Sequence, residues 1–140
     1  MAVEIQRTVE FSMIDMANVA YYPRIFDLAH KVFEQAWQAM CGVSYPTLVN
    51  DRRVGFPVVS LSSTFHAPLR YGDVITATVA IASIGTTSLG WNYTFANQRG
   101  ETVWTCDQAT VCVNMDTMEK QPIPDDLQPG LRHHLEGASS

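Results

Sequence analysis

The sequence lacks the features of several protein classes. Only nine of its 140 residues are Lys or Arg, no basic run is longer than Arg52-Arg53, and the formal net charge is −5. Nucleic acids and anionic membranes bind dense basic surfaces, so we expect neither as a partner. No apolar run approaches the roughly 18 residues of a transmembrane helix, and residues 1–10 lack the apolar core of a signal peptide.

Cysteine is also scarce, which limits the redox and metal chemistry of the chain. Cys41, Cys106 and Cys112 include no C-x-x-C pair. Along one strand, Cys106 and Cys112 would lie about 20 Å apart, too far for a disulfide. We therefore expect reduced thiols and a cytoplasmic protein. The pair His133-His134 has no further ligand at metal-binding spacing, and no glycine-rich nucleotide loop occurs, so we expect no metal and no cofactor.

Apolar residues are abundant by comparison. Hydrophobic residues make up 46% of the chain and charged residues only 16%. A chain of this length forms one domain with a substantial core. The low charged fraction predicts that part of the surface is buried against another subunit, so we expect a homo-oligomer, a dimer or a tetramer.

One convincing helix is predicted between Pro23 and Gly42. Proline is favoured at the first helical position and glycine just beyond the last. Between them, apolar residues recur at spacings of three and four, which is typical of a helix with one buried face.

The remaining elements are strands. Val3–Phe11 alternates apolar and polar residues, as do four later segments: 56–66, 73–84, 89–95 and 102–115. Leu89, Trp91, Tyr93 and Phe95 share one face, which we expect to pack against Phe33 and Trp37 of the helix. This order predicts an α+β domain with a five-stranded antiparallel sheet and one long helix. We assign the domain to residues 1–118 and a polar C-terminal tail to residues 119–140.

A candidate reactive group stands before the helix. Asp15 lies seven residues upstream of Tyr22 in an irregular segment. The first backbone N–H groups of a helix are unpaired and its dipole is positive there, so they can stabilise a developing oxyanion. A carboxylate that curls back to this point could act as nucleophile or base. The alternative is that Asp15 is a turn or capping residue.

Two segments resemble the 4-hydroxybenzoyl-CoA thioesterase family of hot-dog-fold acyl-CoA thioesterases. The first is FSMIDMANVAYYPRIFD, residues 11–27. The second runs from GFPVVS at residue 55 to the Tyr-Gly-Asp turn at residues 71–73. The resemblance covers about residues 3–118, and within the family it is greatest to the enzyme that acts on 4-hydroxybenzoyl-CoA itself. It implies a hot-dog fold, with the sheet wrapped around the long helix, and hydrolysis of an acyl-CoA.

The resemblance also assigns roles to residues. Asp15 takes the position of the catalytic carboxylate, which attacks the thioester carbonyl or activates water. The backbone N–H of Tyr22 would hold the carbonyl oxygen. Asn18 stands where many relatives have glycine, and could supply an amide to the substrate or to water.

Further positions are expected to contact the acyl or aryl group. His30 matches a position that is acidic in the similar enzyme, which indicates a different aryl or medium-chain acyl group; a surface histidine is the alternative. We also expect Phe56, Pro57 and Val58 to line the site.

The resemblance does not determine whether the acyl group of the substrate is carried on CoA or on an acyl-carrier protein. The Gly85-Thr86-Thr87 turn is neutral where the similar enzyme has basic residues that meet CoA phosphates. Four loop arginines, Arg52, Arg53, Arg70 and Arg99, could replace them, and an acyl-carrier-protein substrate is an alternative. Two other functions are alternatives. One is that of a hot-dog hydratase or dehydratase, and the other is that of a non-catalytic protein that binds acyl or aryl thioesters.

Overall fold

The computed structural model describes residues 2–10 and 22–136. Its long helix, α1, spans Tyr22–Cys41. The chain leaves α1 at Gly42, whose φ of +70° is a left-handed conformation that glycine adopts without strain. The predicted helix is therefore confirmed, and its apolar stripe is buried: Ile25, Leu28, Val32, Phe33, Ala36, Trp37 and Met40.

The main sheet has five antiparallel strands in the order β1-β4-β5-β6-β3. Their bounds are Val3–Thr8 for β1, Val58–Phe65 for β3, Val74–Ile84 for β4, Ser88–Ala96 for β5 and Thr102–Val111 for β6. This arrangement confirms the predicted α+β fold.

Helix α1 packs on the inner face of the sheet. The alternation in β5 directs Leu89, Trp91, Tyr93 and Phe95 inward, and all four are buried. The Trp91 ring lies 5.1 Å from that of Phe33 and 5.5 Å from that of Trp37, measured between centroids. The predicted contact between β5 and the helix is thus confirmed.

The last predicted strand is interrupted at Cys112. The backbone N–H of Cys112 donates to the carbonyl of Thr87 at 2.6 Å, instead of continuing the ladder with β5. The chain then forms a separate two-stranded ladder, in which β7 (Val113–Asn114) pairs with β2 (Val54–Gly55). The predicted single strand over 102–115 is wrong at this point, because its last residues find a second partner strand.

The start of β3 also differs from the prediction. Phe56 precedes the strand, because its ring packs 4.5 Å from that of Trp37 and its N–H donates to the Tyr45 hydroxyl. A short π-helical turn, Thr47–Asp51, leads into this region. The main-sheet strand therefore begins at Val58 and not at Phe56.

The segment after residue 118, assigned from its composition as a polar tail, packs onto the domain. A 3-10 turn (Asp125–Leu127) leads into a short helix, α2 (Gln128–His133). Ile123, Leu127 and Leu131 recur every four residues, and all three are buried in the core. Leu135 then forms an isolated parallel bridge with Ile81. Three buried apolar side chains outweigh the polar composition of this segment.

Within residues 2–10 and 22–136, neither helix combines the length and apolarity needed to cross a membrane.

Candidate active site

The first turn of α1 is where the sequence predicts the reaction to occur. Because α1 begins at Tyr22, the backbone N–H groups at this end have no carbonyl partner within the helix. Asp15 and Asn18, predicted as the catalytic carboxylate and a substrate contact, lie outside the described residues. Their roles stay predictions.

Four aromatic residues form a cluster beside this end of the helix. Trp104 of β6 is fully buried at its centre. Its ring lies 5.6 Å from Phe26 of α1 and 4.8 Å from Phe95 of β5, both edge to face. Phe65, the last residue of β3, stacks on Trp104 at 5.9 Å with an interplanar angle of 24°. We call Phe26, Phe65, Phe95 and Trp104 the helix-start cluster.

Phe65 is the open member of this cluster. Its side chain is 45% exposed, whereas Trp104 and Phe95 are completely buried. The Nε1 group of Trp104 is also buried and has no hydrogen-bond acceptor among the described residues. A partly exposed aromatic ring beside a helix N-terminus is suited to bind an aryl or acyl group.

The other predicted contacts lie farther along the protomer. His30 is on the solvent side of α1, with 61% of its side chain exposed. Its ring stacks on Phe33 at 5.7 Å, and its Nε2 atom lies 3.3 Å from Glu34 Oε2. The location of His30 does not test its predicted contact with substrate, so that contact stays a prediction.

Phe56, Pro57 and Val58 are at the opposite end of the sheet from the helix-start cluster. Phe56 is 1% exposed and closed off by Trp37, whereas Val58 is 47% exposed. Val58 and Phe65 bound β3, and seven residue steps of extended chain separate them by about 23 Å. Within one protomer, the residues from Phe56 to Val58 therefore do not meet the start of α1.

The free edge of β3 exposes several apolar side chains. It carries no charged residue, and four of its side chains are 40–59% exposed: Val58, Val59, Leu61 and Phe65. The other edge strand, β1, is shorter and includes Glu4 and Arg7. An uncharged exposed edge strand is a template for pairing with another chain.

Three of the four loop arginines are paired with carboxylates. Arg52 makes a two-pronged contact with Asp126, at 2.7 and 2.8 Å, which lowers the pKa of that carboxyl. Arg53 Nε lies 2.9 Å from Asp116, and Arg99 lies 3.6 Å from Glu101.

Arg70 differs from these three: its backbone N–H donates to Asp73 Oδ2 at 2.9 Å, and its guanidinium forms no ion pair with a carboxylate among the described residues. Arg70 lies in the connection between β3 and β4, next to the Phe65 end of the sheet.

The three cysteines are free, as predicted. Burial, with a smaller contribution from the nearby Asp126, raises the pKa of Cys41 to about 11. Burial, with a contribution from Asp107, likewise raises the pKa of Cys106 to about 11. Burial also raises the pKa of Cys112. Groups in this state are poor nucleophiles at neutral pH, so none of them is suited to thiol catalysis.

Sequence reasoning did not single out Phe65 or Trp104 as functional residues. The only local signal is a phenylalanine at the end of β3, following a stretch of serine and threonine. Their contact depends on the register of β3 against β6, in which Phe65 and Trp104 are Cα partners.

A family model confirms the class of protein to which this site belongs. The thioesterase-like superfamily matches residues 9–131. The chain belongs to this superfamily. The thioesterase family predicted from the two motifs is thus confirmed at this level, while the closer likeness to the 4-hydroxybenzoyl-CoA enzyme stays a prediction.

Individual relatives agree with the superfamily. The 1,4-dihydroxy-2-naphthoyl-CoA hydrolase of Thermosynechococcus vestitus is 28% identical over 134 residues, which span 96% of this chain and 91% of that protein.

Two solved structures show the same fold. A 1,4-dihydroxy-2-naphthoyl-CoA thioesterase from Synechocystis has a TM-score of 0.84 at 19% identity, over 94% of this chain and 96% of that one. A gentisyl-coenzyme A thioesterase has a TM-score of 0.81 at 22% identity, over 90% and 99%. These likenesses confirm the predicted hot-dog fold.

Proposed function

We propose that this protein is an acyl-CoA thioesterase that hydrolyses an aryl-CoA to the aryl carboxylic acid and CoA. The superfamily match over residues 9–131 carries the proposal of thioester hydrolysis. Two observations support an aryl group. Relatives are named for 1,4-dihydroxy-2-naphthoyl-CoA and gentisyl-CoA, and the start of α1 adjoins an exposed phenylalanine.

The proposed chemistry uses one carboxylate and backbone donors. Asp15 attacks the thioester carbonyl carbon, or takes a proton from a water that attacks it. The carbonyl oxygen becomes an oxyanion, to which the N–H of Tyr22 donates a hydrogen bond. Collapse of this intermediate breaks the carbon–sulfur bond and releases the CoA thiolate. If Asp15 has attacked directly, water then hydrolyses the resulting anhydride. This reaction requires no metal and no cofactor.

The proposed site is shared between two protomers. Pairing of one β3 with the same strand of a second copy, antiparallel about a two-fold axis, brings the Val58 end of one chain to the Phe65 end of the other. Pro57 and Val58, with the buried Phe56 packed behind them, would then line the site together with Asn18 and His30 of the other chain. The uncharged, exposed edge of β3 supports this homodimer.

A tetramer of two such dimers completes the proposed assembly. The outer face of the sheet offers a surface for it: Thr76, Thr78, Asn92, Thr94 and Thr105 lie there, and its described residues include no Lys or Arg. The free thiols support a cytoplasmic location.

The carrier of the acyl group is the main alternative within this function. Arg70 is the loop cation best placed to meet a CoA phosphate, since the other three arginines face carboxylates. If the substrate is instead carried on an acyl-carrier protein, hydrolysis of free acyl-CoA will be slow compared with that of the protein-bound thioester.

The test is the substitution Asp15→Asn, assayed by thiol release from aryl-CoA and alkyl-CoA thioesters. We expect kcat to fall by roughly 10²–10⁴-fold, the range for loss of a positioned acid or base, with a far smaller change in substrate binding. Asp51→Asn makes the same change of charge at an exposed position and should retain full activity. An Asp15→Asn variant with near-wild-type turnover would overturn the mechanism and leave the family assignment intact.

A wild-type protein that binds aryl-CoA but releases no thiol would instead support the non-catalytic alternative. Binding is measured separately, by calorimetry with a thioether analogue that cannot be hydrolysed.

A further inference from the structure

We infer that Phe65, backed by Trp104, is the platform on which the aryl ring of the substrate stacks, and that it sets the preference for aryl over alkyl thioesters. This inference rests on the proposed function and adds to it a residue that determines specificity.

The platform is rigid on one side and open on the other. Trp104 is fully buried and is held between Phe26 and Phe95, with ring centroids at 5.6 and 4.8 Å. Phe65 stacks on Trp104 at 5.9 Å and is still 45% exposed. A ring with one supported side and an accessible surface can stack with a further ring at little cost in side-chain entropy.

The position of the platform fits the geometry of an aryl thioester. Phe26 lies four residues after Tyr22, about 6 Å along the helix axis, and it contacts Trp104 directly. In an aryl thioester the ring is bonded to the carbonyl carbon itself. A carbonyl oxygen held at the first turn of α1 therefore brings the ring close to that turn, which the helix-start cluster adjoins.

Phe65 differs in residue type from the other exposed apolar residues on the edge of β3. The other exposed apolar residues, Val58, Val59 and Leu61, are aliphatic and suit strand pairing. Phe65 is the one aromatic residue in β3, and it lies at the end of the strand nearest the start of α1.

The experiment compares two substrates with the same number of acyl carbons, benzoyl-CoA and heptanoyl-CoA. The readout is the ratio of their kcat/KM values, measured by thiol release. Phe65→Leu removes the ring and keeps an apolar side chain. We expect the benzoyl-to-heptanoyl ratio to fall by about 2- to 13-fold, which corresponds to the usual range for an aromatic pair.

Two further variants act as controls. Phe65→Tyr keeps the ring and should hold the ratio within twofold of wild type. Leu61→Ala alters an exposed residue of the same strand outside the platform, and should also leave the ratio unchanged. Sedimentation of each variant shows whether its assembly matches that of the wild type.

The outcomes separate this inference from the proposed function. A Phe65→Leu variant with an unchanged ratio, in a wild type that hydrolyses both substrates, would overturn the platform alone. The platform would also be overturned if Leu61→Ala lowers the benzoyl-to-heptanoyl ratio as much as Phe65→Leu does. A wild type that releases thiol from neither substrate would overturn both the proposed function and the platform.

Discussion

At the scale of single residues, protein atoms around the three cysteine thiols disfavour the thiolate. The pKa values of Cys41 and Cys106 are both raised to about 11 from an ordinary 9.0, chiefly by burial. The thiols of the unfolded chain therefore lose their protons at lower pH than those of the folded chain. Their contribution to stability is fully present below pH 9 and is lost as the pH rises from 9 to 11.

We expect the free energy of unfolding to be lower at pH 10.5 than at pH 8, measured by urea denaturation at both values. A variant that combines Cys41→Ala, Cys106→Ala and Cys112→Ala should show a smaller decline between the two. If the triple variant declines as steeply as wild type, the alkaline loss of stability comes from other groups.

At the scale of elements, α2 lies against the last turn of α1 through a glycine. A Cβ atom at Gly130 would collide with the carbonyl oxygen of Met40 and would lie 3.1 Å from the Cα of Cys41. These are backbone atoms of a packed helix and cannot swing aside. Alanine normally stabilises a helix relative to glycine. A Gly130→Ala substitution that lowers the free energy of unfolding therefore shows that the packing clash outweighs the gain in helix propensity.

We expect Gly130→Ala to lower the free energy of unfolding by about 1–3 kcal/mol, the range for overpacking a tight contact. Chemical denaturation measures the change. Arg132→Ala, at an exposed position of the same helix, is the matched control and should cost no more than about 0.5 kcal/mol. An alanine at position 130 that stabilises the protein would show that α2 can move away from α1 freely.

At the scale of the whole molecule, the edge of β3 decides whether the proposed site can be complete. Val59 is 59% exposed on this edge, and no charged residue in β3 opposes pairing. A lysine there would place a positive charge within the paired edge of each copy, and charged edge residues oppose strand pairing.

We expect Val59→Lys to sediment as a monomer and to lose most of the thiol-release activity, because Val58 of a second chain would no longer reach the start of α1. Gln38→Lys adds the same charge at an exposed position of α1, away from the strand edges and the outer face of the sheet, and should leave both assembly and activity intact. A wild-type protein that is monomeric and fully active would refute the shared site.

Much of the architecture could be predicted because its signals are local. Pro23, at the second position of α1, and Gly42, just beyond its end, mark the helix in the sequence. The strict alternation from Leu89 to Phe95 defines β5 and its buried face. Two short motifs were enough to indicate the thioesterase class that the superfamily match confirms. In each case the information lies within a few residues of the element, since helix and strand periods repeat over such short distances.

Other features depended on which strand each segment pairs with. The uninterrupted alternation up to Met115 predicted one strand, yet Cys112 bonds to Thr87 and Val113 joins β2. Because the sequence after residue 118 is mostly polar, the burial of its three apolar residues, spaced by four, was not predicted. Their burial depends on a groove that other elements create.

The sequence by itself determined the long helix, the approximate positions of the main-sheet strands, the buried faces of the helix and β5, and the family. Tertiary structure alone brought Phe65 and Trp104, 39 positions apart, into stacking contact beside the start of α1. It also separated Val58 from that end of the same chain. The physical reason is that periodicity fixes the direction of a side chain within its own element, whereas strand order and register decide which distant side chain it meets.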